Sequence, residues 1–158
     1  MKKDNDSIHL SWKDIDKDCN IIAQELTKSG LKFDTIIMIQ RGGLIPGTIL
    51  SHKLKCSHVH TINIRTTETD DNYSKRLKNP IVNIPPIMSS IIGMRVLIID
   101  DVTNSGVTLN LAKKEILKYK PATCITAVLI WDGYNNTCCS ADYYARYTPG
   151  WVVFPWEC

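Results

Sequence analysis

The sequence predicts an α/β fold: a mainly parallel sheet of five or six strands flanked by helices. Three observations lead there. Residues 96–99, Val-Leu-Ile-Ile, are apolar without alternation, as in a strand covered on both faces of a parallel sheet. Comparable runs occur at 33–39 and 123–131, and neighbouring stretches repeat their apolar residues every three or four positions, as helices packed on a sheet do. The runs at 33–39 and 96–99 end in short loops of glycine, hydroxyls and charge, at the edge where parallel sheets bind ligands. A chain of 158 residues is expected to form one domain, 1–158, with enough core for such a sheet.

Ser11-Trp12-Lys13-Asp14 opens the first helix, with Ser11 as N-cap and Asp14 closing an aspartate variant of the capping box. Ile15, Cys19, Ile22, Ala23 and Leu26 form its buried stripe, and Gly30 ends it. The strand at 33–39 leads through Gln40-Arg41-Gly42-Gly43 into a helix over about 46–54, where Pro46 is tolerated in the first turn. Residues 59–64 read as a strand, Ile62 and Ile64 alternating with polar neighbours. The stretch 66–79 is polar and mixed in charge, which fits a lid or a solvated hairpin tip. Residues 80–88, with Pro85-Pro86, read as irregular edge structure. Gly93 then turns the chain into the strand at 96–99, expected to stop at Asp100. Leu111, Ala112, Glu115, Ile116 and Tyr119 mark a helix from Leu109 to near Lys120-Pro121, so 102–107 is expected to be loop. Trp131-Asp132-Gly133 turns the chain after the strand at 123–131, a short strand follows at 142–144, and 151–157 form an aromatic tail.

Composition narrows the classes. Hydrophobic residues at 44% and charged residues at 22% exclude a disordered chain. The net charge of +3 is too mild to argue for nucleic acid, although it suits anionic substrates. No apolar run reaches the roughly 18 residues of a membrane span, and 1–7 lacks the apolar segment of a signal peptide, so a cytoplasmic protein with no membrane partner is expected. Cys19, Cys56, Cys124, Cys138, Cys139 and Cys158 show no C-x-x-C spacing and read as reduced thiols. Of His9, His52, His58 and His60, the pair His58 and His60 would share one strand face, which fits a solvated face better than a metal site.

Two loops carry chemistry. Ser105, Gly106 and Thr108 let backbone amides and small hydroxyls close around an oxyanion at a helix N-terminus. Asp100 and Asp101 would repel phosphate and suit a sugar diol or a hydrated divalent cation. A ligand with phosphate at one end and ribose in the middle satisfies both. So, on the loop alone, would a strand-end carboxylate pair followed by an ordinary hydroxyl-capped turn. In the second loop, Gly42 and Gly43 let the backbone approach an anion and Arg41 adds a fixed positive charge.

Four apolar residues, two acids, two more residues and a small-residue loop with Gly and Thr resemble the phosphoribosyl-pyrophosphate (PRPP) motif of type I phosphoribosyltransferases. The resemblance implies that family's single-domain fold with a small C-terminal hood. It implies that Asp100 and Asp101 hold the ribose hydroxyls and, indirectly, Mg²⁺. Asn104, Ser105, Gly106, Val107 and Thr108 would hold the 5′-phosphate, with Asp100, Asp101, Asn104 and Arg41 as the catalytic set. Arg41-Gly42-Gly43 is similar to the family's pyrophosphate loop, which implies a non-proline cis peptide at Gln40–Arg41 or Arg41–Gly42. The stretch 66–79 falls where the family carries a flexible loop, so Lys75 and Arg76 would reach the pyrophosphate. A hood over about 132–158, with N-terminal contributions, resembles that of the xanthine-guanine and archaeal purine enzymes. There Trp151 would stack on the purine and the Val152 backbone meet its edge, with Trp131 and Asp132 also at the base and Trp156 sealing the sheet edge. The implied reaction transfers the 5-phosphoribosyl group from PRPP to a purine base, of the 6-oxopurine type by overall resemblance, giving a nucleoside monophosphate and pyrophosphate, in a homodimer or tetramer.

Two positions depart from the family's 6-oxopurine pattern. Asn104 stands where an aspartate contacts purine N7, and Trp131-Asp132 stand where a lysine reads the 6-oxo group. An amide is no base near neutral pH, and a carboxylate accepts from an amino group more readily than it faces a carbonyl. Both departures favour adenine or an unusual base. Asn104 also leaves open a regulator that senses PRPP or a nucleotide without turnover.

Overall fold

The computed structural model describes residues 7–69, 74–133 and 141–157. In chain order its elements are β1 (Ile8–His9), α1 (Trp12–Lys28), β2 (Thr35–Gln40), α2 (Leu44–Lys53), β3 (Val59–Thr67), β4 (Arg76–Asn83), β5 (Arg95–Thr103), α3 (Val107–Leu117), β6 (Thr123–Trp131), β7 (Tyr143–Tyr147) and β8 (Val152–Val153), with a 3-10 turn at Pro86–Ile91 before β5. Cys138, Cys139 and Cys158 lie outside the described residues, as do 1–6 and positions 70–73 of the expected lid.

Six strands form the main sheet in the order β4-β3-β2-β5-β6-β7. All neighbours are parallel except the β3–β4 edge pair. The unalternating apolar run of β5 is explained by its two covered faces. Leu97 and Ile99 join Ile22, Leu26, Leu50 and Phe154 on the side of α1 and α2. Val96 and Ile98 join Ile62, Leu109, Ala112 and Ile116 on the side of α3. Each such buried aliphatic side chain contributes about 1.5–3 kcal/mol. Because β2 continues outward to β3 and β5 in the opposite direction to β6, the carboxyl ends of β2 and β5 diverge into a crevice, the usual ligand position in open α/β sheets.

The first helix follows the sequence closely. The Asp14 amide donates to Ser11 Oγ at 3.3 Å and the Ser11 amide to Asp14 Oδ2 at 2.9 Å, so the aspartate capping box is formed. Asp18, outside the expected stripe, is also buried on α1, where Arg146 of β7 donates to it at 2.6 Å and ties helix to sheet.

Several expected boundaries are corrected. β5 does not stop at Asp100: pairing continues through Val102 with Ile130 and Thr103 with Trp131, so both carboxylates sit on a hydrogen-bonded strand. The loop is shorter than 102–107 because α3 starts at Val107, after Gly106 takes a left-handed φ of 71° that suits glycine. Residues 76–83 form an edge strand where irregular structure was expected, and Pro80 is tolerated because an edge strand has one unpaired side. The stretch 66–79 is largely a hairpin, with Thr67 opposite Arg76 and the Glu68 amide donating to the Lys75 carbonyl at 2.9 Å. The short strand expected at 142–144 is β7, Tyr143–Tyr147, with Asp142 just before it accepting from the Thr126 hydroxyl and amide, each at 2.8 Å.

The two chain ends meet. β1 pairs with β8 in parallel, the Ile8 amide donating to the Trp151 carbonyl at 2.8 Å and the Leu10 amide to the Val153 carbonyl at 3.0 Å. Phe154 stacks on Trp156 at 4.6 Å between ring centres, and Trp12 lies 6.0 Å from Trp156 with its ring tilted.

Candidate active site

A cavity of about 690 Å³ lies between the crevice and this terminal strand pair. Arg41 and Gly42 reach it from the end of β2, Asp101, Val102 and Asn104 from the end of β5, and Asp132 from the end of β6. Gly150, Trp151, Val152, Phe154, Trp156 and Glu157 close it from the tail. Small-molecule sites commonly run from about 300 to 1,000 Å³, so a phosphorylated sugar and a heterocycle fit together.

The loop after β2 needs both of its glycines. A Cβ on Gly42 would overlap the Asp101 carboxylate, and one on Gly43 would overlap the carbonyl oxygens of Ile99 and Ile39. The pyrophosphate-type loop and the acidic pair are therefore in direct contact across the crevice. The peptide Gln40–Arg41 is cis, at one of the two expected positions.

Asp101 is buried and Asp100 is half-buried at the strand end. The Asp101 amide donates to Asp100 Oδ1 at 3.0 Å and the Val102 amide to Asp101 Oδ1 at 2.7 Å. Burial pushes the Asp101 carboxyl up to about 6, opposed by the Val102 amide and reinforced by Glu157. Burial, then the Asp101 charge, pushes Asp100 well up as well. Both carboxyls are easily protonated unless a cation or donor joins them. Among the described residues lining the cavity, Arg41 is outnumbered by three carboxylates, Asp101, Asp132 and Glu157. A polyphosphate entering there needs further positive charge. Oxygen-only donors suit a hard divalent cation such as Mg²⁺. No group of three acidic, His or Cys side chains among the described residues could cage a metal alone, so an ion would share its coordination with substrate oxygens.

At the start of α3, Ser105 and Thr108 are both held from the β3–β4 hairpin. Arg76 Nη2 donates to Ser105 Oγ at 2.6 Å, and the Thr66 and Thr108 hydroxyls lie 3.0 Å apart. Arg76, expected at the pyrophosphate, is thus placed against the 5′-phosphate-type loop. Lys75 precedes it in the chain, opposite Glu68 on the turn side of the hairpin.

Of the expected base residues, Trp151, Val152 and Asp132 line the cavity and Trp131 does not. Trp131 packs edge-on against Tyr144 and Tyr147 at 5.3 and 5.1 Å. Asp132 is buried, accepting from Asn104 Nδ2 and from the Gly150 amide at 3.3 Å. Glu157, Phe154 and Gly150 were not singled out from sequence, and Trp156 lines the cavity as well as packing on the core. The available signal was the aromatic density of the tail.

A family profile described as the phosphoribosyl transferase domain matches residues 10–158. The xanthine-guanine phosphoribosyltransferase of Gluconobacter oxydans is 28% identical over 150 residues, covering 94% of this chain and 83% of that protein. Its counterpart from Cereibacter sphaeroides is 27% identical over 94% of this chain and 86% of that one. Among solved structures, a purine phosphoribosyltransferase from Pyrococcus horikoshii superposes with a TM-score of 0.80 at 33% identity, covering 96% of this chain and 95% of that chain. A hypothetical protein from Neisseria gonorrhoeae with bound ppGpp shares the fold, with a TM-score of 0.78 at 23% identity over 96% of this chain and 89% of that one.

Proposed function

Because this chain belongs to the phosphoribosyl transferase family, we propose that its cavity transfers the 5-phosphoribosyl group from PRPP to a purine base. The observation that carries the reading is the contact between Gly42 and Asp101: it sets an anion-binding loop beside a ribose-type acidic pair, with Trp151 across the cavity. Purine enzymes among the similar proteins support the choice of base class.

In this reading Asp100 and Asp101 hold the ribose 2′- and 3′-hydroxyls. The amides of 104–108 and the N-terminus of α3 hold the 5′-phosphate. Arg76 adds a positive charge at Ser105, so we reassign it from the pyrophosphate to that phosphate. Arg41 and the Gly42 amide face the pyrophosphate, with Lys75 on the hairpin side, while the Gly43 amide, expected there too, is taken by the Ile39 carbonyl at 2.9 Å. Asp100 or Asp101 would hold Mg²⁺, which would supply charge neutralisation for the leaving group. Trp151 gives the base a stacking face, and the hydrogen-bonded strand pair β1–β8, through the Ile8 amide on the Trp151 carbonyl, keeps it in place. The N9 lone pair forms the bond to C1′ as the C1′–O bond breaks, the electron pair departs with pyrophosphate, and the base gives its imidazole proton to solvent. The charge of the oxocarbenium-like centre is met by fixed groups, so positioning and electrostatics do the catalysis. The exposed Ile81 and Val82 of the β4 edge strand support a homo-oligomer, and the buried free thiols Cys19, Cys56 and Cys124 suit the cytoplasm.

Calorimetry with PRPP and Mg²⁺ tests the assignment. Tight binding lost in the Asp100→Asn/Asp101→Asn double variant is expected, and unchanged affinity would remove the ribose assignment. A second reading is favoured by Asn104, which supplies no proton acceptor in the loop: a PRPP or nucleotide sensor that binds without turnover.

A further inference from the structure

Resting on the transferase reading above, we infer that the base taken by this cavity is a 6-aminopurine, recognised through the Asn104–Asp132 pair. Asp132 lines the cavity beside Trp151 and is only 8% exposed. Its Oδ2 accepts from Asn104 Nδ2 and its Oδ1 from the Gly150 amide, and these bonds fix the carboxylate in the wall. An ionised carboxylate has no hydrogen to offer a ligand. The same bond orients Asn104: its nitrogen is turned to Asp132, and the other end of the amide is a carbonyl acceptor.

Two acceptor groups in hydrogen-bond contact with each other can address only adjacent positions on a planar ligand. A purine whose N9 points at the ribose offers two candidate edges, N7 with the C6 substituent or N3 with the C2 substituent. A donor beside a donor occurs on the first edge of a 6-aminopurine in its N7–H form. That is also the form whose N9 carries the lone pair needed to attack C1′. A 6-oxopurine places a carbonyl next to N7–H, and that oxygen would face Asp132 as acceptor against acceptor. The second edge fails as well: N3 of guanine is an acceptor, and xanthine sets N3–H beside a carbonyl. Sites that leave a buried polar group facing a like partner discriminate strongly, on the order of 100-fold or more.

The unaltered protein decides the matter by two readouts, calorimetric binding of AMP against IMP and kcat/KM for adenine against hypoxanthine with PRPP and Mg²⁺. The two nucleotides share N7 and the phosphoribosyl group and differ only at C6 and the adjoining N1, so their ratio reads that end of the base edge. AMP is expected to bind at least about tenfold tighter, and adenine to be used about 100-fold more efficiently. Asp132→Asn, whose amide offers a donor as well as an acceptor, is expected to bring both ratios toward one while PRPP affinity stays within about twofold. Equal or tighter IMP binding, or hypoxanthine used as well as adenine, would overturn the inference with the transferase reading intact. Failure to bind PRPP at all would instead remove the transferase reading and the inference with it. If Asp132→Asn does not fold, the two ratios of the unaltered protein remain decisive.

Discussion

Replacing Asp101 with asparagine should stabilise the fold while disabling the site. The folded protein holds this carboxyl at about 6 against an ordinary 3.8, burial being the chief cause. Two pH units correspond to about 3 kcal/mol spent on keeping the group ionised above pH 6. The asparagine keeps the shape and removes the charge beside Asp100, but weakens the bond from the Val102 amide by about 1 kcal/mol. The net gain is therefore about 1–2 kcal/mol, or a rise in Tm of about 3–6 °C for a chain of this size. The sign follows from proton binding: a carboxyl raised in the folded state holds its proton there after the unfolded chain has lost it. Through Asp101 the unaltered protein thus loses stability as pH climbs from about 4 to about 6, beside the loss that the raised Asp100 carboxyl adds. The variant lacks this slope, so its advantage should be absent near pH 4 and complete by about pH 7. Thermal unfolding of both proteins from pH 4 to 8 measures it. A variant less stable at pH 7.5, or a gain that does not change with pH, would refute the reasoning.

Three further outcomes are expected. Trp151→Ala should weaken purine binding about 10- to 100-fold and PRPP binding less than twofold by calorimetry, because one stacking face is worth about 1–3 kcal/mol; equal losses would point to a folding role. Arg76→Ala should weaken PRPP and ribose 5-phosphate alike, about tenfold or more, as loss of a charge-assisted bond to the shared phosphate requires; a loss confined to pyrophosphate inhibition would return Arg76 to the leaving-group side. Asn104→Asp would set two carboxylates in contact and raise the shared proton affinity, so the variant should be destabilised by about 1–3 kcal/mol at pH 7.5 and recover towards pH 5; a pH-independent Tm difference would contradict it.

The buried strands, the capped first helix and both ligand loops were legible because each rests on local chemistry. Unalternating aliphatics, a serine with an aspartate three residues on, and glycine beside charge all carry their meaning within a few residues. Boundaries set by partners were not. β5 runs on to Thr103 because Ile130 and Trp131 pair with it, and β4 exists because β3 offers an edge, neither of which a polar stretch with prolines reveals. Trp131 sits on the right strand, but two tyrosines from β7 draw it away from the cavity. Arg76 meets Ser105 for the same reason, since the hairpin register determines which loop it reaches. Asn104 and Asp132 were visible as departures from the family pattern, whereas their hydrogen bond, spanning 28 positions, required the fold.

The most direct test of the transferase reading is product formation: the protein with PRPP and Mg²⁺, offered adenine, hypoxanthine, guanine and xanthine in parallel, with nucleotide and pyrophosphate both quantified. Nucleotide and pyrophosphate appearing one for one, with at least one of the four bases and only when base is present, is the predicted result. PRPP that binds but yields neither product with any of the four would contradict the reading and leave the cavity as a sensor's.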